Sequence, residues 1–338
     1  MAPAAPDTAP YPLYNTTFTL HRLSPLHHLS ALTPASLRTH ASQLRDLLAG
    51  DVLRGVRVGL SSTSTSDPDS ALARVGSLRA VLCTPLGTPD EWAAAAARSP
   101  DREDDDIARG GRGILVEVVY EKASYSAILL RDGGAAEKEE APGFTSYPLL
   151  LTRMPAALRA TLVGFLAATF DARAAPLRIP SARLVRALET FLGDIAAGDE
   201  GAMLRGVARD VVLTFSFAGG VDADDAETAL RGIDVTVPRD DVGPMLVRGR
   251  QLVAGEGEGE GPFMAALGRY VEAHLGLEAG REEVRVVKVA CGAWVLGGEG
   301  KVKVFQPKGE EEGGKVWRGA CEKLVEGLVG WAGRREVG

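Results

Sequence analysis

An arginine-rich stretch between residues 153 and 186 has the composition of a phosphate-binding surface. The stretch contains one acidic residue, Asp171, whereas the whole chain has a formal net charge of −7. A guanidinium group is planar and donates two parallel hydrogen bonds to a phosphate, so arginine suits such contacts well. We therefore predict a nucleic-acid-binding surface; the alternative is the solvated outer face of two core helices. The arginines are Arg153, Arg159, Arg173, Arg178, Arg183 and Arg186.

A C-terminal β-hairpin is the second candidate site, and the chemistry it offers is pairing with another protein chain. Val284 and Val286 alternate with residues that are also largely apolar, so both faces of the first predicted strand are apolar. The second strand adds Val302, Val304 and Phe305. An edge strand of this kind invites a strand of another chain. We predict that these five residues bind a partner; the alternative is a strand buried between helices of the same chain.

Residue types that support catalysis or metal binding are present, but their spacing in the sequence matches no known catalytic or metal-binding motif. The five histidines are scattered, and the adjacent pair His27 and His28 point apart. The three cysteines are far apart in the sequence, and the common catalytic motifs are absent. An acidic run at 104–106 is more typical of a solvated loop than of a cation site. We predict a protein without metal, cofactor or catalytic activity. The alternative is an enzyme whose site shows itself only as a deep pocket with converging polar groups.

The composition is that of a globular protein from a reducing compartment. A length of 338 residues suits two domains, and contents of 45% hydrophobic and 25% charged residues are ordinary. No apolar run reaches the roughly 20 residues that cross a bilayer, and the first residues lack the features of a secretory signal. Three cysteines without a pairing pattern argue against a disulfide framework. We therefore expect no membrane contact and a location in the cytosol or nucleus.

Two predicted helices position the arginine-rich stretch. The first begins after Pro155 and the second after Pro180, because a proline at a helix start loses only a hydrogen bond that would not form there. Leucine and phenylalanine recur three and four residues apart in both segments, which gives each helix one apolar face. The link at 176–179 is short and apolar and is compatible with a strand.

The remaining elements alternate between strands and helices, which indicates an α+β fold of two mixed sheet-plus-helix halves. We predict a disordered tail at 1–12, an N-terminal α/β domain at 13–200 and a C-terminal α/β domain at 201–338. Pro244 is expected to break its helix. The other predicted elements are strands at 16–23, 56–60, 75–84, 114–120, 125–131, 207–217, 233–237, 283–296 and 301–306, and helices at 33–50, 238–252, 263–277 and 315–334.

Several blocks of the sequence resemble the centromere protein L family. The segment FTLHRLSPL at 18–26 resembles the strand that opens the folded part of the family. The middle block is similar in PLLL at 148–151, in the TFD ending at 169–171 and in Pro176-Leu177. The segment VVLTFSF at 211–217 resembles the next strand of the family, and the final hairpin and helix resemble its tail. These blocks cover nearly the whole chain in order, and the short loops are similar to those of a filamentous-fungal member.

This resemblance implies a non-enzymatic subunit of the inner kinetochore, within the constitutive centromere-associated network of the nucleus. Members pair with centromere protein N through the C-terminal sheet, and the pair helps to recognise the centromeric nucleosome and linker DNA beside other inner-kinetochore subunits. Some fungal members also self-associate through this region, so a homodimer is a second arrangement. The two halves are expected to form a saddle-like structure. A protein-only adaptor that never contacts DNA is the alternative to the DNA-binding role.

Overall fold

The computed structural model describes most of the chain and divides it into two compact units. Unit 1 contains Phe18–Pro176 together with Met1–Pro12 and the residues from Leu328 onward, and unit 2 contains Leu13–Thr17 and Leu177–Gly327. The described residues are 10–27, 33–54, 75–96, 111–131, 143–197, 204–217, 232–253, 261–278, 281, 283–307 and 312–334.

Some of the predicted segments lie outside the described residues. These are the strand at 56–60, the acidic run at 104–106 and the predicted tail up to residue 9. Tyr11, also within the predicted tail, is buried, and its hydroxyl donates a hydrogen bond to the Gly87 carbonyl at 2.9 Å. The chain is therefore anchored to unit 1 at Tyr11.

Unit 1 is built on an antiparallel sheet. Its strands are β1 (Thr17–Leu23), β3 (Leu78–Leu86), β4 (Gly113–Tyr120), β5 (Ser124–Leu130), β7 (Leu149–Arg153) and the short β8 (Ala174–Pro176); β2 (Leu26–His27) and β6 (Phe144–Thr145) form a separate pair. The helices are α1 (Pro34–Arg54), α2 (Pro89–Ala96) and α3 (Ala156–Phe170). The strand order is β1-β7-β5-β4-β3, and β8 also pairs with β1. The predicted hairpin of β4 and β5 is present with an unbroken register.

The core of unit 1 lies between the sheet and helices α1 and α3. Successive side chains of a strand point to opposite faces, so alternate residues of β4 reach the same side. Ile114, Val116 and Val118 are buried in this way. They belong to one hydrophobic cluster with Leu44 of α1 and Leu162 of α3. The apolar face predicted for the helix after Pro155 is therefore the face that packs on the core.

Unit 2 contributes five further strands, paired antiparallel to one another, and its own helices. Its strands are β9 (Val211–Phe217), β10 (Gly232–Val237), β11 (Val284–Ala290), β12 (Trp294–Gly297) and β13 (Lys301–Val304). The helices are α4 (Ser181–Ala196), α5 (Arg239–Val253), α6 (Pro262–Leu275) and α7 (Glu312–Gly333), the last of which enters unit 1 at Leu328. The strand order is β10-β9-β11-β12-β13. The predicted α+β fold is confirmed.

Helix α4 ties the helices of unit 2 to the sheet. Its buried residue Phe191 meets the fully buried Trp294 of β12 edge to face, with ring centroids 5.7 Å apart. The carboxylate of Glu189 accepts hydrogen bonds from the backbone N–H groups of Met264 (2.7 Å) and Phe263 (3.3 Å) at the start of α6. A helix N-terminus has unpaired N–H groups and a partial positive charge, so this carboxylate caps α6 from another helix.

The single strand predicted at 283–296 is wrong, because the chain reverses within it. Strands β11 and β12 pair with each other around a turn at 291–293, with Ala290 opposite Val295. The Gly292 N–H donates to the Ala208 carbonyl at 2.7 Å, and a side chain at Gly292 would overlap the Val207 carbonyl. The turn therefore needs a glycine that a continuous strand would not need.

A β-bulge at Val287 explains why β11 is apolar on both faces in the sequence. Val286 pairs with Phe215 and Lys288 with Thr214, which leaves Val287 as the extra residue. Val286 and Val289 are both buried although they differ in parity, because the bulge exchanges the two faces between them. The two apolar faces are therefore two halves of one inner face.

Three further predictions need correction. Helix α5 runs through Pro244 without a break, and Gly249 lets it pack closely on α6, since a side chain there would overlap the Pro262 carbonyl. This packing offsets the lost backbone hydrogen bond. Helix α1 continues past Gly50 to Arg54. The strand predicted at 207–217 begins at Val211 after a π-helical turn. None of the helices in the described ranges is long and apolar enough to cross a membrane.

Candidate functional site

Three of the six predicted DNA-binding arginines belong to unit 1. Arg153 ends β7 and is exposed, Arg159 is half-buried in α3, and Arg173 is exposed between α3 and β8. Asp171 ends α3 in the left-handed conformation (φ 49°), which turns the chain back toward the sheet. The backbone N–H of Arg173 then donates to the Ser24 hydroxyl at 2.8 Å. Local structure therefore fixes the backbone on which each arginine sits.

The arginines of unit 1 are spread along β1 instead of forming one compact cluster. Thr152 pairs with Thr19, so Arg153 borders the start of β1, while Arg173 is bonded to Ser24 just after its end. Six residues of extended chain span about 20 Å at about 3.3 Å each. The backbones of the two exposed arginines therefore lie at opposite ends of the same strand.

The other three arginines belong to unit 2, on and just before α4. Arg178 precedes the helix and is exposed, Arg183 is half-buried in its first turn, and Arg186 is exposed one turn later. Leu184 and Leu188 are fully buried on the opposite side of α4. The strong partition of α4 into an apolar and a polar side places these arginines outside the core.

Most of these arginines have no carboxylate partner in the described part of the chain. Arg183 has a partner. The remaining five form no ion pair within 4.0 Å of another described residue, unlike Arg79, which binds Glu121 at 2.7 Å, and Arg281, which binds Glu278 at 2.7 Å. An unpaired surface guanidinium keeps its charge and its hydrogen-bond donors for an external anion.

Arg159 also acts on a buried histidine of β1. His21 is 6% exposed, and its Nδ1 has no hydrogen-bond partner among the described residues. Burial lowers the pKa of His21 below 6.5, and the positive charge of Arg159 lowers it further. Because a neutral imidazole is favoured in this position, the positive charge near α3 comes from the arginine alone at neutral pH.

The predicted partner-binding residues do not lie on a free edge of the sheet. Strand β11, with Val284 and Val286, is paired on both sides, by β9 and by β12. Val302 and Val304 are buried, and the Val304 carbonyl accepts a hydrogen bond from the Asn15 N–H at 2.7 Å. The expectation of an edge strand at this hairpin is therefore wrong. The partner-binding role of these residues stays a prediction.

The open edge of the sheet in unit 2 is β10. Its residues pair with β9 from Gly232 opposite Ser216 to Val237 opposite Val211 without a register shift. No other strand in the described ranges pairs with β10. Asp234 is exposed, and its carboxylate accepts a hydrogen bond from the Thr214 hydroxyl at 2.5 Å. Sequence reasoning predicted this strand but did not identify it as the edge, because strand order does not follow from chain order.

Phe305 lines a cavity of about 820 Å³ that sequence reasoning missed. Arg209, Asp210, Cys291 and Trp317 are also among the lining residues. Burial raises the pKa of the Cys291 thiol to about 12, so this thiol is a poor nucleophile at neutral pH. The Asp210 carboxylate already accepts a hydrogen bond from the backbone N–H at the start of α5. The protonated Cys291 thiol and the hydrogen-bonded Asp210 carboxylate favour non-covalent binding in this cavity over covalent chemistry.

Metal binding gains no support from the described part of the chain. No three histidine, cysteine, aspartate or glutamate side chains converge there as metal ligands. His27 packs against Phe144 with tilted rings whose centroids are 4.7 Å apart, and His40 meets Phe170 edge to face at 4.9 Å. These two histidines therefore contribute packing contacts to unit 1.

Comparison with known proteins identifies the family. The family model described as centromere protein L matches residues 12–332, which is nearly the whole chain and includes both units. No curated protein sequence matches the chain. Because the match spans far more than half of the residues, it shows membership and not a local likeness. The chain therefore belongs to the centromere protein L family.

Proposed function

We propose that this protein, a structural kinetochore component of the nucleus by its family, pairs with a centromere protein N homologue and helps to anchor the kinetochore to centromeric chromatin. The family match over residues 12–332 carries the proposal. Two features of the molecule support its finer parts. They are the open edge at β10 and the arginines without carboxylate partners.

The partner strand adds to the sheet of unit 2 at β10. An edge strand presents unpaired N–H and C=O groups on its outer side, and a partner strand satisfies them with ladder hydrogen bonds. Strand β10 offers six residues, about 20 Å at about 3.3 Å each, which is enough for a stable ladder. Its regular register with β9 keeps those groups evenly spaced.

Four of the five predicted partner-binding residues support this edge from inside the sheet, whereas the fifth, Phe305, follows β13 and lines the cavity. Val284 and Val286 belong to β11, which pairs with β9, the neighbour of β10. Val302 and Val304 lie further along the same sheet and are buried. Their replacement by polar residues would weaken pairing through loss of the sheet, whereas a change on β10 would act on pairing directly.

The test is the solution mass of this chain co-expressed with the centromere protein N homologue of the same organism. Light scattering coupled to gel filtration should show one particle with the mass of one copy of each chain. Each copy of the present chain contributes 35.5 kDa. Two separate peaks would contradict the pairing. A particle of twice 35.5 kDa without the second protein would instead show a homodimer.

Direct DNA contact through the arginines is the second part of the proposal. Arg153, Arg173, Arg178 and Arg186 are exposed and form no ion pair with another described residue. Each phosphate contact releases condensed counterions, so the salt dependence of binding measures the number of contacts. Other inner-kinetochore subunits bind the same assembly in this proposal, and no membrane is involved.

Charge reversal tests the DNA contact with matched pairs of variants. Arg153→Glu with Arg173→Glu alters unit 1, and Arg178→Glu with Arg186→Glu alters unit 2. For each pair that touches phosphate, the slope of log K against log salt for a 30-base-pair duplex should flatten by about two units. The control is Arg79→Glu with Arg281→Glu, which changes the net charge equally at arginines already bound to carboxylates.

An unchanged slope in both pairs would contradict the DNA contact. The protein would then be a protein-only adaptor that holds kinetochore subunits together. A flatter slope in the control as well would show that overall charge, and not a defined surface, governs binding.

A further inference from the structure

We propose that the cavity lined by Phe305 is a binding site for a short acidic peptide segment of a partner protein, separate from strand addition at β10. The cavity has a volume of about 820 Å³ and lies within unit 2. A volume of 300–1,000 Å³ is typical of ligand sites. The residues that carry the proposal are Asn15, Arg209, Asp210, Phe305, Gln306 and Trp317.

The cation of this cavity is held in place by local backbone structure. Arg209 adopts the left-handed conformation (φ 51°), which residues other than glycine and asparagine rarely adopt. A side chain at Gly292 would overlap the stem of Arg209, so the glycine lets that stem pass across the turn. Arg209 forms no ion pair with another described residue, although Asp210 is next to it. Its guanidinium is therefore available to a carboxylate.

The apolar and amide groups of the cavity fit a peptide. Phe305 and Trp317 offer aromatic surface for an apolar side chain. The Trp317 side chain is buried and its indole N–H lies beside the Cys321 thiol, so Trp317 offers a peptide only its apolar ring.

Two amide side chains at the cavity add donors and acceptors that suit a peptide backbone. The Gln306 N–H donates to the Asn15 side-chain oxygen at 3.2 Å, and the Asn15 amide donates to the Gln306 side chain at 3.5 Å. Both residues are exposed, and their amides keep hydrogen-bond capacity beyond this pair. A nucleic-acid site follows the phosphate backbone with several cations, and a single arginine does not make such a track, so the lining favours a short peptide over a nucleic acid.

The experiment measures binding of one defined probe to the full-length chain. The probe is a fluorescein-labelled peptide Asp-Glu-Leu-Phe-Asp-Glu, followed by fluorescence polarisation. Arg209→Asn removes the cation and keeps a residue that tolerates the left-handed backbone. We expect about tenfold weaker binding, the size of one lost charge-assisted contact. Arg281→Asn, which removes an exposed arginine elsewhere in unit 2, should leave binding unchanged.

Two variants at an exposed position should change the affinity for the peptide in opposite directions without altering the core. Gln306 is exposed, so Gln306→Glu should weaken binding and Gln306→Lys should strengthen it, each by about threefold for one added surface charge. Three results would overturn the proposal. The first is a dissociation constant above about 1 mM for the unaltered chain. The second is binding by the Arg209 and Gln306 variants as tight as that of the unaltered chain, and the third is displacement of the peptide by a deoxythymidine decamer.

Discussion

Among the described strands, each unit contains one register shift, which lies in an outermost strand in unit 1 and in an interior strand in unit 2. In unit 1 the shift lies between Leu78 and Ala80 on β3, which pairs only with β4 among the described strands, and Pro85 lies within the same strand. In unit 2 the shift lies at Val287 in the interior strand β11, and the edge strand β10 is regular and free of proline.

This difference indicates which edge accepts another chain. Bulges and prolines are the means by which proteins protect an edge from unwanted pairing. Helix α1 also packs against β3. The sheet of unit 1 is therefore protected, whereas the irregularity of unit 2 lies where it cannot protect β10. The open edge and the proposed partner interface coincide.

A proline substitution in β10 should have the largest effect, which is a loss of affinity for the partner. In an antiparallel ladder, successive residues direct their N–H groups to opposite sides. Of Asp234→Pro and Val235→Pro, one variant therefore loses an outward N–H and the other loses a bond to β9. The variant that loses the outward N–H should fold and should bind the centromere protein N homologue about 10- to 100-fold more weakly, because one ladder bond is lost and the proline ring crowds the partner strand.

The second proline variant is the internal control, because its defect should be in stability. Urea unfolding and gel filtration separate the two outcomes. Normal pairing by both variants would place the interface away from β10.

The bulge in β11 gives the next largest effect, on stability. Val289 is fully buried and Val287 is 37% exposed, although a regular strand would place both on one face. Val289→Thr should lower the free energy of unfolding by about 1–3 kcal/mol, because it buries a hydroxyl without a partner. Val287→Thr should change it by less than about 0.5 kcal/mol. Equal losses in urea unfolding would contradict the assigned register.

A lysine substitution at each of the two edge strands should show, with a smaller effect on affinity, which edge binds the partner. Thr236 on β10 and Leu82 on β3 are both exposed. Thr236→Lys should weaken pairing with the centromere protein N homologue about tenfold, because lysine discourages strand addition at an edge. Leu82→Lys should leave the dissociation constant unchanged. A larger effect at Leu82 than at Thr236, measured by surface plasmon resonance, would reverse the assignment of the two edges.

The smallest expected effect is a loss of stability in acid, which His21 should cause in unit 1. The pKa of His21 is lowered in the folded state, chiefly by burial, so the unfolded chain binds a proton more readily below pH 6.5. This contribution to stability is fully present above pH 6.5 and is lost progressively as the pH falls from 6.5 through the lowered pKa of the folded state. His21→Gln should therefore reduce the drop in the urea midpoint between pH 7.5 and pH 5.5. An identical drop in both proteins would contradict this origin.

Much of the fold follows from local sequence signals. Pro155 and Pro180 lie directly before α3 and α4, since proline suits a helix start. Thr33 accepts a hydrogen bond from the Ser36 N–H at the start of α1, as its side-chain type predicts. These signals act within a few residues, so they can be read without knowledge of the partners.

The features that the sequence did not reveal depend on distant residues. The bulge at Val287 lies between two neighbouring strands, since Val287 is the extra residue against β9 while its carbonyl accepts from the Gly298 N–H at 2.7 Å, and no periodicity encodes this arrangement. The cavity likewise joins Asn15 to Trp317 across most of the chain. The arginines illustrate the intermediate case. Their exposure was predictable, whereas their separation along β1 follows from the return of the chain at Asp171.

The exchange of chain segments between the units has a consequence for synthesis in the cell. Unit 1 includes residues from Leu328 onward, although its main segment ends at Pro176. A ribosome adds about 5–20 residues per second, so roughly 10–30 s separate these two points. Residues Phe18–Pro176 therefore lack part of their unit until the segment from Leu328 onward has been made. Neither unit is one continuous stretch that a gene fragment would encode, and a truncation from the C-terminal side that extends past Leu328 removes part of both.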